Sequence, residues 1–245
     1  DVQAGQTLTI STNANQTHFL DSSSLRNHGT VVWTGGPIRL RNGSPVVNDA
    51  GKLWDAQGDF LMQSDGTGAP TFANAGTFRK SGGGGTLTLA ASIDYTNNGT
   101  IDLQVGAIAV GGTLINNGLM QLGTNTTFFL DRVTLNASST FSGPGTLHAN
   151  GNTTITGNVV VTAPLLITGN VLGTGTLGLG AAATWNALSD TTIGVAGGVD
   201  VQAGQTLTIS TNANQTHFLD SSSLRNHGTV VWTGGPIRLR NGSPV

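Results

Sequence analysis

Twelve aspartates are the whole acidic complement of this chain, because glutamate is absent, and four of them gather in one stretch: Asp49, Asp55, Asp59 and Asp65. A hard cation such as calcium needs several oxygen ligands converging from one loop, and Asp55-Ala-Gln-Gly-Asp59 offers two carboxylates at loop spacing. The stretch follows neither the EF-hand pattern nor the glycine-rich nonapeptide pattern, so Asp55 and Asp59 stand as calcium candidates beside the plainer reading of polar corner decoration. Glycoside hydrolysis needs two carboxylates within about 10 Å of each other. Asp102 and Asp131 are the pair that a lateral face could bring together, although no pattern selects them. His217 and His227 repeat His18 and His28 within a duplicated segment, which leaves three distinct histidines with His148. His28 sits in an Asn-His-Gly corner with no Cys or Asp at ligand spacing and reads as a solvated corner residue. No other cofactor site is expected, and the chain is not expected to be an enzyme.

Three residues have the chemistry of surface contacts. Trp54 takes the outward position when its segment is aligned with the others, while a one-residue shift would bring it inside, and the alignment leaves both open; an exposed Trp is a common contact anchor. Arg39 and Arg41 flank Leu40 and should face outward, either simply solvated or paired with Asp on a neighbouring filament. The net charge of −2 is spread over ten Lys and Arg and twelve Asp with no basic stripe, which argues against nucleic acid. Cysteine is absent, so disulfides and thiolate metal sites are excluded. No apolar run approaches the ~20 residues of a membrane-spanning helix, so any anchor or export signal is expected elsewhere. Asn-x-Ser/Thr triplets at Asn15, Asn98, Asn125 and Asn152 are glycan acceptors only in a eukaryotic secretory setting.

The elements that position these residues are repetitive at two scales. Residues 1 to 46 recur without a change as residues 200 to 245, which sets a 199-residue tandem repeat. One full unit, 1–199, is then followed by the start of the next, stacked on it continuously. Inside the unit a turn ending in Gly is followed by Thr and an apolar-any-apolar triplet, as in Asn27-His-Gly-Thr-Val-Val-Trp33 and Asn97-Asn-Gly-Thr-Ile-Asp-Leu103. The triplet alternates at period two and points Val31, Trp33, Phe78, Ile101, Leu103, Met120, Leu122, Leu147, Leu177 and Leu179 inward. Val32, Arg79, Asp102, Gln121 and His148 should point outward. Glycine and Asn supply the positive φ that a sharp corner needs. The key glycines at 29, 51, 76, 99, 118, 145 and 175 lie 19 to 30 residues apart, the span of one solenoid coil with two or three strands. With 37 Gly, 36 Thr, only two Lys and no Glu, helix formers are scarce. The expected fold is all-β, a right-handed parallel β-helix of about 8–9 coils per 199-residue repeat. Residues 150–180 leave their coil register open.

At the corners, Asn27, Asp49, Asn74, Asn97 and Asn116 each stand two places before the glycine and should stack into a ladder along the axis, as Asn side chains do in cross-β assemblies. The phrases Asn74-Ala-Gly-Thr-Phe-Arg-Lys80 and Asn97-Asn-Gly-Thr-Ile-Asp-Leu103 resemble the β-helix repeats of very large bacterial surface proteins, the filamentous-haemagglutinin-like and autotransporter-like adhesins. The resemblance implies an extracellular or cell-surface location and a role in adhesion or structural reach, and it carries over no catalytic residue. The expectation is the repeat unit of an extracellular filament or adhesin stalk, with identical repeats as first partners and other filament chains, surface glycans or host matrix as further ones. A carbohydrate-binding or polysaccharide-processing β-helix, and a subunit that polymerises end to end into a fibre, are the alternatives.

Overall fold

The computed structural model describes residues 1–12, 16–211 and 214–244; Asn15 and Val245, the last residue of the duplicated segment, lie outside these. Among the described residues there are 33 short strands and no helix. With one break on the first face, each strand pairs in parallel with the strand three places further along, so the chain winds into a three-faced β-solenoid of 11 turns. The first face starts with Thr7–Ile10, Thr30–Trp33 and Leu53–Ala56, the second with His18–Asp21, Ile38–Arg41 and Leu61–Ser64, and the third with Leu25–Asn27, Pro45–Asn48 and Thr71–Asn74. The second and third faces are continuous 11-stranded sheets. The first divides into seven- and four-stranded sheets between Thr140–Ser142 and Asn158–Val161, which remain stacked without a backbone ladder.

The strands form where β-branched and apolar residues alternate with polar ones, because alternation at period two gives one buried and one outward row on every face. All ten side chains expected to point inward are buried. Turn length follows what the interior must hold. Partners on one face lie as few as 18 residues apart, from Asn158 to Thr176, and as many as 27, from Leu61 to Thr88. The long turns enclose aromatic rings: Trp33 stacks on Phe60 at 4.9 Å, and Phe72 meets Trp54 at 5.3 Å and Phe78 at 5.2 Å. The short turns enclose Val159, Val161, Ala163, Leu165, Ile167 and Val171 instead. Each such aliphatic or aromatic side chain contributes on the order of 1.5–3 kcal/mol by leaving water.

The coil count corrects the expectation of 8–9 per repeat. The strand Thr7–Ile10 is the first of the chain, and its copy Thr206–Thr211 is the twenty-ninth, so one repeat advances by nine turns and one further strand. The shortfall lies between Gly118 and Gly175, where glycine spacings of 27 and 30 read as single coils. Gly145 in fact opens Thr146–Ala149 on the second face, and the first face holds Thr140–Ser142 and Asn158–Val161 in that interval, making three short turns of what read as two long ones. The open register of residues 150–180 resolves into one turn made of Asn158–Val161, Leu165–Ile167 and Asn170–Gly173.

The glycines of the Asn-x-Gly corners also act differently from expectation. Gly51 does adopt positive φ (73°), but Gly29, Gly76, Gly99 and Gly118 do not. Their constraint is space: a Cβ on Gly99 or Gly118 would fall on the carbonyl oxygen of Gly76 or Gly99, one turn below.

Candidate functional site

The most ordered polar feature of the molecule lies inside it, at the corner where the third face turns into the first. Each third-face strand in the first five turns ends on an asparagine: Leu25–Asn27, Pro45–Asn48, Thr71–Asn74, Asp94–Asn97 and Leu114–Asn116. Their side chains are buried and form one row, in which Nδ2 of Asn27 donates to Oδ1 of Asn48 (2.8 Å), Asn48 to Asn74 (2.7 Å), Asn74 to Asn97 (2.7 Å) and Asn97 to Asn116 (2.7 Å). The second hydrogen of the amide reaches a backbone carbonyl of the next turn, Leu53 from Asn27 (2.9 Å) and Thr100 from Asn74 (3.0 Å). The head-to-tail amides thus satisfy one another where no water enters, the condition under which a buried polar row stabilises.

The row contains Asn27, Asn74, Asn97 and Asn116 from the expected set, with Asn48 in the place assigned to Asp49. The corner Asn48-Asp-Ala-Gly-Lys52 is two residues longer than Asn27-His-Gly29, so counting back two places from Gly51 lands one residue late. The same extra length puts Trp54, rather than Leu53, in register with Val31 and Phe78. Trp54 is therefore 0% exposed and packs against Phe72, which corrects its reading as a surface contact. A second, outer row went unread: Asn117 donates to Asn98 (2.8 Å), Asn136 donates to Asn117 (2.6 Å), and the Thr156 hydroxyl donates to Asn136. Its signal was present in the doubled asparagines Asn97-Asn98 and Asn116-Asn117.

The charged residues pair across neighbouring turns. Arg39 and Arg41 both face outward from Ile38–Arg41, and both engage Asp65 one turn above: Arg41 through Nε (2.6 Å) and NH2 (2.9 Å), Arg39 through NH1 (2.8 Å). The Arg41 guanidinium also lies 4.1 Å over the ring of Phe19, one turn below. Hydrogen bonds from Arg41 first, then Arg39, hold the Asp65 carboxyl well below the usual carboxylate range. The partners of these two arginines lie on the rod itself. Asp49, displaced from the ladder, takes Arg26 at 3.1 Å and the His28 ring nitrogen, so His28 does have a carboxylate partner, one turn away and invisible to sequence spacing. The Arg26 hydrogen bond is the main cause of the lowered Asp49 pKa.

Asp55 and Asp59, the calcium candidates, are brought to different partners. Asp55 accepts from Gln57 Nε2 (2.9 Å) and the Ser81 hydroxyl (2.7 Å). Asp59 accepts from Lys80 Nζ (2.8 Å) and the Gly85 amide (2.8 Å), and Lys80 lowers its pKa. Lys80 occupies an inward position, is 0% exposed, and donates also to the carbonyls of Gly82 (2.8 Å) and Gly83 (2.6 Å). Its three hydrogens are thus all used, and the ammonium sits on the carboxylate that a cation would need. Among the described residues no three His, Cys, Asp or Glu side chains cluster as a metal site would require. Asp102 lies on the first face bound to Arg79 (2.9 Å), whereas Asp131 follows Thr127–Leu130 at the corner of the second and third faces, so the two do not meet. His148, packed against Phe129 and bonded to the Thr168 hydroxyl (2.8 Å), has its pKa lowered by burial. No helix among the described residues is long and apolar enough to cross a membrane.

Two asparagine rows and a set of ion pairs thus link neighbouring turns over the stretch from Asn27 to Thr156. No protein-family model, no curated protein and no solved structure matches the chain.

Proposed function

We propose that the chain is a structural repeat unit of an extracellular filament or adhesin stalk, whose activity is to form a stiff rod of adjustable length rather than to transform a substrate. The observation that carries this reading is the fate of the duplicated segment. Thr206–Thr211 and His217–Asp220 of the second copy rest on Ala183–Ala187 and Thr191–Val195 of the preceding unit, whereas Thr7–Ile10 and His18–Asp21 are the first strands of their sheets. Leu8 is 36% exposed and its copy Leu207 1%; Phe19 is 52% exposed and its copy Phe218 5%. A cavity of about 200 Å³ lined by Leu8, Ile10, Leu20 and Leu40 lies against the first strands of the first two faces. Within the chain, Ala183–Ala187 and Thr191–Val195 close the corresponding space beneath the second copy.

The end of one unit is thus complementary to the start of the next, and Val199–Val201 spans the boundary within a continuous sheet. Nearest-neighbour stacking of this kind lets units be added without a linker, and each joint gains the burial of several large apolar side chains. Extracellular placement rests on the resemblance to giant surface adhesins. The test is an image of the native assembly. At about 4.8 Å per turn, nine and a third turns predict an axial repeat of about 45 Å. A globular particle, or a filament with an axial period well away from that value, would overturn the proposal.

A further inference from the structure

The identical residues do not occupy identical sides of the rod. Thr7–Ile10 lies on the first face and its copy Thr206–Thr211 on the second; His18–Asp21 lies on the second and its copy His217–Asp220 on the third; Leu25–Asn27 lies on the third and its copy Leu224–Asn226 on the first. The advance of 28 strands is nine whole turns and one strand, so each copy is turned by one face. The local contacts survive the change. Trp33 Nε1 donates to the Gly36 carbonyl at 2.7 Å and Trp232 to Gly235 at 2.8 Å, Asn42 donates to Asp21 and Asn241 to Asp220, each at 2.6 Å, and Arg41 and Arg240 both cover a Phe ring. A segment that folds alike on two faces takes its shape from its own strands and corners, and no face is reserved for it.

We infer that successive repeats present the same lateral surface a third of a revolution apart, returning to the starting side only after three repeats, about 135 Å along the axis. This rests on the tandem-array reading for chains longer than the present one. The outward pair Arg39 and Arg41 shows the rule: it lies on the second face, and its copy Arg238 and Arg240 on the third. A partner recognising such a patch finds a copy about every 45 Å, but each on a new side. Lateral recognition therefore fits partners small enough to dock within one repeat, arriving from all directions, and disfavours a flat partner that must read the same patch on consecutive repeats.

The absence of cysteine allows paired spin labels in this chain itself. Thr184 and Thr208 are registered neighbours on the second face, about 4.8 Å apart between strands, whereas Thr176 and Thr206 lie on different faces. Labels on Thr184→Cys with Thr208→Cys should broaden each other's continuous-wave spectra strongly, and labels on Thr176→Cys with Thr206→Cys should give the sum of the two single-label spectra. The reverse pattern, or equal broadening in both pairs, would overturn the rotation; single-label spectra and circular dichroism establish that each variant is folded. The outcome is independent of filament formation. A native assembly without a 45 Å axial period would defeat the array reading while leaving the turn between the two copies intact.

Discussion

The buried asparagine row sets the energetic scale of single residues. Asn74 is held from both sides, accepting from Asn48 and donating to Asn97 and to the Thr100 carbonyl. Asn74→Ala leaves one Nδ2 hydrogen of Asn48, whose other hydrogen still reaches the Thr77 carbonyl, and the Asn97 Oδ1 without partners in a dry corner, at about 1–3 kcal/mol for each stranded group. Urea unfolding should show a loss of about 2–4 kcal/mol for this variant, against less than about 0.5 kcal/mol for the exposed control Asn150→Ala. Asn74→Asp should be worse at neutral pH, because a carboxylate offers no hydrogen to Asn97 or Thr100. Its folded-state pKa is then raised, so the deficit should shrink as pH falls and the group becomes protonated. A deficit that is unchanged between pH 7 and pH 4 would contradict the proposed hydrogen-bond direction. Lys80 makes a parallel case: Asp59→Ala removes the carboxylate from a buried ammonium, whereas Lys80→Met removes the charge and keeps an apolar stem in the interior. Thermal unfolding should rank Asp59→Ala as the less stable of the two, since an unpaired buried charge costs more than a lost pair.

At the level of strands and corners, the first two strands of most turns could be read from sequence, because Gly-Thr followed by apolar-any-apolar is a local signal at period two. The third strands were harder. Thr71–Asn74 and Asp94–Asn97 have the same buried-outward pattern as their neighbours, but they end on the corner asparagines, which read as turn residues. Asp49 was placed in the ladder instead of Asn48, and the register of Trp54 stayed open, for one physical cause: two residues added to a corner shift everything after it, and a sequence motif aligned on glycine cannot show where the extra length lies. The ladder itself was legible because asparagine two places before glycine recurs with little variation in corner length. Ionisable groups also act between elements, and their signs can be worked out. Asp49, Asp59 and Asp65 have lowered pKa values, so their contribution is present above the ordinary carboxylate value of about 3.9 and is lost below it, as pH falls through the lowered folded-state values. His148 is lowered by burial, which adds a shallower loss below about 6.5. Tyr95, the only tyrosine, is raised by burial, so its contribution is present below about 10 and is lost above it. Stability measured against pH should therefore be flat from about 7 to 10 and fall on both sides. Tyr95→Phe should flatten the alkaline side, because the hydroxyl has a single long bond, 3.4 Å to the Ala90 carbonyl, whose loss costs little. An alkaline limb as steep as in the parent chain would place the titrating group elsewhere.

The molecule as a whole is a sum of turns, each held by the turn above and the turn below, and this makes length its most malleable property. The short turns show how interchangeable they are. Asn158–Val161 and Thr176–Leu179 are registered residue for residue at a spacing of 18, both follow a glycine, and both bury their second and fourth side chains. Deleting residues 158–175 joins Gly157 to Thr176 and recreates the Gly-Thr-apolar-any-apolar phrase that opens other turns. Every later strand keeps its face, and the apolar rows above and below meet with the same alternation. The shortened chain should fold with the β-sheet circular dichroism of the parent, unfold in one transition at somewhat lower urea, and be shorter by one strand spacing, about 4.8 Å, in small-angle scattering. Deleting residues 158–166 instead removes half a turn and brings Ile167 and a corner where a strand should lie, so partner rows on every later face lose register. That variant should be aggregated or largely unfolded. If both deletions fold equally well, the stack is not governed by whole-turn register; if neither does, the turns depend on contacts beyond their nearest neighbours. The expected contrast between the two follows from the same arithmetic that turns each 199-residue repeat by one face: whole turns are invisible to the rod, while single strands rotate everything above them.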